Sequence, residues 1–127
     1  MFVSYALINM NVAKVLEAKA KEFLNKPAFI FKEQSTTFSQ LRDFAFRLAD
    51  SLRNLGVKKG DKVAIYLPSS PEYIYTYLAI WCCGATAVPL DFMLTQEELI
   101  SCISHCEARA LITKPKATVS LPAPTVY

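Results

Sequence analysis

The sequence predicts an α/β domain whose mainly parallel sheet is flanked by helices, with a β-hairpin near the N-terminus. Three observations lead there. Between Val63 and Thr113 the pattern runs strand, helix, strand, helix, strand, and parallel strands need crossovers of this length. Val63-Ala64-Ile65-Tyr66-Leu67 is an apolar run without alternation, as in a strand covered on both faces. Helix-start and helix-stop residues occupy the gaps between these segments.

Taken in order, Asn11 is placed to cap a helix over 12–24, with Val12, Leu16 and Phe23 on one side and Pro27 beyond its end. Residues 28–31 and 36–38 read as a hairpin around the polar Lys32-Glu33-Gln34-Ser35 turn. Ser39 opens a long helix in which Leu41, Phe44, Leu48, Leu52 and Leu55 recur at helical spacing, and Gly56 sits at its C-terminal stop. After the Lys58-Lys59-Gly60-Asp61 turn comes the first buried strand, 63–67, stopped by Pro68. Two helix-start devices then overlap: Ser69 with Glu72 as a capping box, and Ser70 ahead of Pro71 at the first helical position. The helix over 71–83 is apolar nearly all round, which predicts burial, and Gly84 ends it. Residues 86–90 form a second strand. Thr95 with Glu98 is another capping box, starting a helix to Cys106 with Leu99, Cys102, Ile103 and Cys106 inward. Residues 110–113 form the third strand, reached by right-handed crossovers. The chain thus reads as a single α/β domain over 1–113. Residues 114–127, with three prolines and no acid, read as a Pro-rich basic tail that is extended, disordered or the start of a further unit.

Composition narrows the function. The 127 residues support one domain with its own core. Fourteen Lys and Arg against eleven Asp and Glu give a net charge of only +3, without the dense basic stripe of a nucleic-acid binder. Mean hydropathy of +0.24 is high for a soluble domain, and 73–90 carries no charge. Gly84 and Pro89 interrupt that stretch and Glu72 and Asp91 bracket it, so it reads as a buried helix and strand and no membrane span is expected. The first residues lack a basic n-region and a small-residue cleavage site, so a cytoplasmic protein is expected. Cys82, Cys83, Cys102 and Cys106 then read as reduced core thiols. Cys102, His105 and Cys106 share a helix face at a spacing that suits a metal, but no fourth ligand accompanies them and no metal site is expected. Gly56, Gly60 and Gly84 are the chain's three glycines, too scattered for any Gly-rich phosphate loop.

Parallel sheets place ligands at the carboxyl ends of their strands. The groups there are Ser69 and Ser70 after the first strand and Asp91 after the second. Ser69 and Ser70 are the candidates for holding an anion at a helix N-terminus, although helix capping accounts for both without a ligand. Asp91 sits where a response-regulator receiver has its phospho-acceptor, but Leu67-Pro68-Ser69 stands in place of the acidic pair a receiver needs, which leaves a turn aspartate. No set of side chains makes a self-contained catalytic constellation, so no catalytic residue is assigned.

Four segments in order resemble the N-terminal part of the adenylate-forming acyl-CoA synthetases, the AMP-forming fatty-acid–CoA ligases. They are Thr37-Phe38-Ser39-Gln40-Leu41, the run from Gly56 to Ile65 (GVKKGDKVAI), Pro68-Ser69-Ser70-Pro71-Glu72-Tyr73, and Gly84-Ala85-Thr86-Ala87-Val88-Pro89-Leu90 followed by Leu94-Thr95 and Glu98-Leu99. The resemblance implies a parent enzyme that joins a carboxylate to the thiol of coenzyme A through an acyl-adenylate, using ATP, Mg2+ and CoA. It also implies that the phosphate loop and catalytic lysine belong to later parts of that enzyme. On this reading the segment is inactive alone, and its partner is the rest of the ligase, in the same chain or as a split subunit. A free-standing anion- or nucleotide-binding module and a structural interaction domain are the alternatives. The oily composition further predicts self-association through aromatic residues near Tyr73, Tyr77 and Trp81.

Overall fold

The computed structural model describes residues 11–114, 125 and 126. Its elements are α1 (Val12–Phe23), β1 (Pro27–Phe31), β2 (Gln34–Thr37), α2 (Phe38–Asn54), β3 (Lys62–Tyr66), α3 (Pro71–Cys82), β4 (Thr86–Pro89), α4 (Gln96–Cys106), β5 (Ala110–Thr113) and β6 (Thr125–Val126). The main sheet has the order β4-β3-β5-β6 and every pairing in it is parallel. β1 and β2 form a separate antiparallel hairpin. The expected α/β class with its parallel sheet is therefore the observed one. Thr125 and Val126, within the stretch read as a tail, add a short strand at the sheet edge; residues 115–124 and 1–10 lie outside the described residues.

The strands alternate between two covered faces. Val63 and Ile65 of β3, with Ala110 and Ile112 of β5, meet Ala49 and Leu52 of α2 and Ala79 and Ile80 of α3. Ala64 and Leu111 point the other way, onto Leu99 and Ile103 of α4. Burial on both faces is why β3 reads as an unbroken apolar run. A third cluster, built on Leu16, Leu41 and Ala45, fastens α1 and the hairpin to the outer side of α2 and α3.

Local chemistry sets the helix boundaries. The Asn11 side-chain oxygen accepts from the Lys14 backbone N–H at 3.0 Å, the cap expected for α1. α2 begins one residue earlier than Ser39, because Thr37 and Gln40 form a reciprocal capping box. Its inward face also differs from the leucine stripe: Ala45 and Ala49 are buried while Phe44 and Leu55 are 41% and 37% exposed, the small alanines letting α3 approach closely. At the end of α2, Val57 N–H donates to Leu52 O and Gly56 N–H to Arg53 O, a Schellman motif in which Gly56 takes φ +90°. The same pair of bonds, Ala85 to Ile80 and Gly84 to Trp81, closes α3. α4 carries the expected Thr95–Glu98 box, with Leu99 and Ile103 buried and Cys102 and Cys106 half-buried.

Two expectations are corrected. The hairpin turn contains two residues, Lys32 and Glu33 at φ +47° and +67°, so Gln34 and Ser35 belong to β2. Neither turn residue is one of the small or amide types that favour positive φ, and the tighter turn carried no sequence signal. α3 is less enclosed than its composition predicts. Thr76, Ala79 and Ile80 are buried, yet Ile74 and Trp81 are 40% and 44% exposed. Tyr73, Tyr77 and Trp81 stack along this helix with ring centroids 5.4 and 5.3 Å apart. No helix among the described residues is long and apolar enough to cross a membrane.

Candidate functional site

The carboxyl edge of the parallel sheet is where the chain leaves β3 through Leu67 and Pro68 and leaves β5 at Lys114. Two open cavities lie there. The first, about 460 Å³, is floored by Pro68-Ser69-Ser70-Pro71 and walled by Phe31, Lys32 and Gln34 of the hairpin. The second, about 440 Å³, lies between α2 and α3, with Phe44, Leu48, Leu67, Tyr75 and Ile112 as its apolar walls. Glu72 and Lys114 line both.

The structure thus brings Ser69 and Ser70 together in the first cavity, but neither caps α3 as expected. The Ser70 hydroxyl donates to Pro68 O at 3.0 Å, its side chain makes no capping bond, and the Ser69–Glu72 box does not form. Pro71 alone keeps its expected role at the first helical position. With its hydroxyl spent on Pro68 O, Ser70 leaves the first turn of α3 without a side-chain cap. Asp91 lines neither cavity. Its carboxylate accepts from the Met93 N–H at 2.9 Å in a tight turn, and the Tyr66 hydroxyl, 3.1 and 3.0 Å from the carbonyls of Phe92 and Leu94, ties that turn to β3.

Charge around the two cavities is uneven. Lys32 sits with its Nζ 5.4 Å from the Phe31 ring centre, and the Arg47 guanidinium lies 5.9 Å from that of Phe44. Arg47, Lys114 and Glu72 take part in none of the four ion pairs formed among the described residues. Burial, and then the neighbouring Glu72 carboxylate, push the Tyr75 hydroxyl above its ordinary range. On the far side of α3, burial likewise raises Cys82 and Cys83, with Arg53 opposing; Arg53 donates to Cys82 O at 3.1 Å. The four cysteines are unpaired thiols. Cys102, His105 and Cys106 are not joined by any further ligand: no group of three or more His, Cys, Asp or Glu among the described residues is arranged to hold a metal.

Lys32, Gln34, Arg47 and Thr76 were not legible as site residues, because they reach this edge from a hairpin tip and two helix faces rather than from strand ends. Lys114 does carry a sequence signal, since it directly follows the third parallel strand.

A family model described as AMP-binding enzyme matches residues 16–126. A probable CoA ligase of Humulus lupulus is 35% identical over 109 residues, which cover 85% of this chain and 21% of that protein. Among solved structures, the N-terminal subdomain of Klebsiella oxytoca NpsA in complex with 3-hydroxyanthranilyl-AMSN superposes with a TM-score of 0.77 at 27% identity, over 92% of this chain and 29% of that one. O-succinylbenzoate coenzyme A synthetase from Bacillus subtilis, solved with AMP, gives a TM-score of 0.76 at 26% identity, over 87% and 30%. The chain spans about a fifth of the length of that curated ligase. With the family match running from α1 to β6 and the fold shared with adenylation and CoA-ligase structures, the chain belongs to the AMP-binding enzyme family and corresponds to the N-terminal part of its adenylate-forming ligases.

Proposed function

We propose that this chain is the N-terminal portion of an ATP-dependent acyl-CoA synthetase, which adenylates a carboxylate and passes the acyl group to coenzyme A, and that the portion alone does not catalyse this reaction. The observation that carries the reading is coverage: nearly the whole chain matches a CoA ligase, yet only 21% of that ligase is matched.

The groups around the first cavity fit ATP poorly, which supports assigning its chemistry elsewhere. Pro71 lacks an N–H, the Ser70 hydroxyl is engaged with Pro68 O, and Glu72 adds a negative charge to the lining. On this reading ATP, Mg2+ and CoA are assigned to the rest of the ligase, which is also this chain's partner, and the whole is assigned to the cytoplasm. Ser69 and Ser70, with Lys32 and Lys114 beside them, support a second reading as an anion-binding module.

Pyrophosphate exchange into ATP, measured on the purified 127-residue chain with a panel of fatty and aromatic acids, tests the main reading. The expected result is no exchange above the heat-killed blank. Exchange that co-purifies with the chain would overturn it, and saturable binding of AMP or phosphate lost in Ser69→Ala/Ser70→Ala would favour the second reading.

A further inference from the structure

We propose that the outward stripe of α3 is a surface on which two copies of this chain meet antiparallel about a two-fold axis. The inference stands apart from the ligase reading, since it concerns the shape and chemistry of one face of the chain itself.

α3 differs from the helix on the other side of the sheet in what it shows to water. Every exposed residue of α4 is polar or charged. On α3 the exposed large apolar residues are Ile74 and Trp81. Glu72 is the one charged residue of α3, and residues 73–90 carry none. At about 100° per residue Glu72 stands on the opposite side of the helix from Ile74 and Trp81, where it lines the carboxyl-edge cavities. The outward stripe of α3 is therefore apolar and without charge, the make-up of a protein contact.

Shape selects the occupant. Ile74 and Trp81 lie two turns apart, about 10 Å along the helix by its rise, with Tyr77 between them. The Trp81 ring is held 5.3 Å from that of Tyr77, and Tyr77 in turn 5.4 Å from Tyr73, so the indole is ordered before any partner arrives. Beside Trp81 is a shallow groove of about 500 Å³, lined with Val12, Gly84 and Ala85. One end of the stripe thus offers an apolar groove and the other an exposed branched side chain. A two-fold axis passing beside Tyr77 seats Ile74 of each copy in the Trp81 groove of the other, the reciprocal contact that an isologous interface requires. A parallel pairing would set Ile74 against Ile74 and leave both grooves empty. Two identical faces without charge also meet without like-charge repulsion. The contact is small, so the dimer is a weak one, dissociating in the micromolar range.

Sedimentation velocity on the 127-residue chain and two double variants tests this. The parent should pass from monomer to dimer as its concentration rises through the micromolar range. Ile74→Glu/Trp81→Glu sets like charges against each other in either pairing and should weaken association at least about tenfold. Ile74→Lys/Trp81→Glu sets opposite charges against each other only where α3 pairs antiparallel. At low salt it should associate at least about tenfold more tightly than the double-glutamate variant, and about 1 M salt should remove that difference. Both positions are exposed, and thermal melting checks that the variants fold. A charge-swapped variant no tighter than the double-glutamate one would overturn the antiparallel contact, as would parent-like association of the double-glutamate variant. A parent monomeric throughout would overturn the proposal as well, and would give the stripe to another occupant, such as the remainder of the ligase.

Discussion

Replacing Gly60 by valine isolates one backbone term. Gly60 lies in the turn before β3 at φ +87°, and a side chain built there meets nothing within 4 Å. The cost is therefore conformational strain without a clash, about 1–3 kcal/mol for a β-branched residue in that region. A stiffer unfolded chain returns about 0.4–1 kcal/mol, so the net loss is about 1–2 kcal/mol. For a domain of this size each kcal/mol lowers the melting temperature by about 3–5 °C, giving a fall of about 3–10 °C. Urea unfolding should show a lower midpoint with an unchanged slope. Gly60→Asn, which tolerates positive φ, should lose less than half as much. The turn is held from both sides: Gly60 N–H donates to Gly84 O at 3.0 Å, and the Asp61 carboxylate accepts from Lys58 N–H at 2.8 Å. A Gly60→Val chain that melts with the parent would refute the strained-turn reasoning, and equal losses for Val and Asn would show that strain at φ is not the cause.

Two further outcomes are expected. Light scattering over a hundredfold range of concentration should show a dimer or larger species that Trp81→Lys returns to monomer; Trp81 is chosen over Tyr77 because Tyr77 also packs on the core, and a parent monomeric throughout would remove the basis for an aromatic contact. Burial raises the Cys82 and Cys83 thiols in the folded state, so the folded chain holds their protons more tightly than the unfolded one. Their contribution to stability is then present at neutral pH and is lost as pH rises through the alkaline range; guanidinium melts from pH 7 to 10 on the parent and on Cys82→Ala/Cys83→Ala should diverge at neutral pH and converge at high pH.

What the sequence disclosed follows the range of the interactions concerned. Asn11 and the Thr95–Glu98 box act within one turn of their own helices and were readable. The β3 run was readable because burial on two faces removes alternation. Thr37 caps α2 from the last position of β2, which hid it, and the serines before α3 pointed to a cap that the Ser70 hydroxyl, bonded to Pro68 O, does not supply. The partial exposure of α3 depends on which neighbours exist, which no periodicity contains. The edge of the sheet that holds the two cavities was foreseen, whereas the residues that converge on it from α2, α3 and the hairpin were not.

The two edges of the sheet differ in what holds them. At the amino edge, Gly60 N–H donates to Gly84 O across the strands, and Gly56 and Gly84 each close a helix through a main-chain bond. At the carboxyl edge, side chains of Arg47, Glu72, Thr76 and Lys114 surround open space. The first edge admits few residue types at its positive-φ positions, since backbone geometry tolerates little replacement there. The second can exchange its side chains one at a time without disturbing the strands beneath, so surface chemistry is free to change on one rim of a scaffold whose other rim is fixed by its backbone.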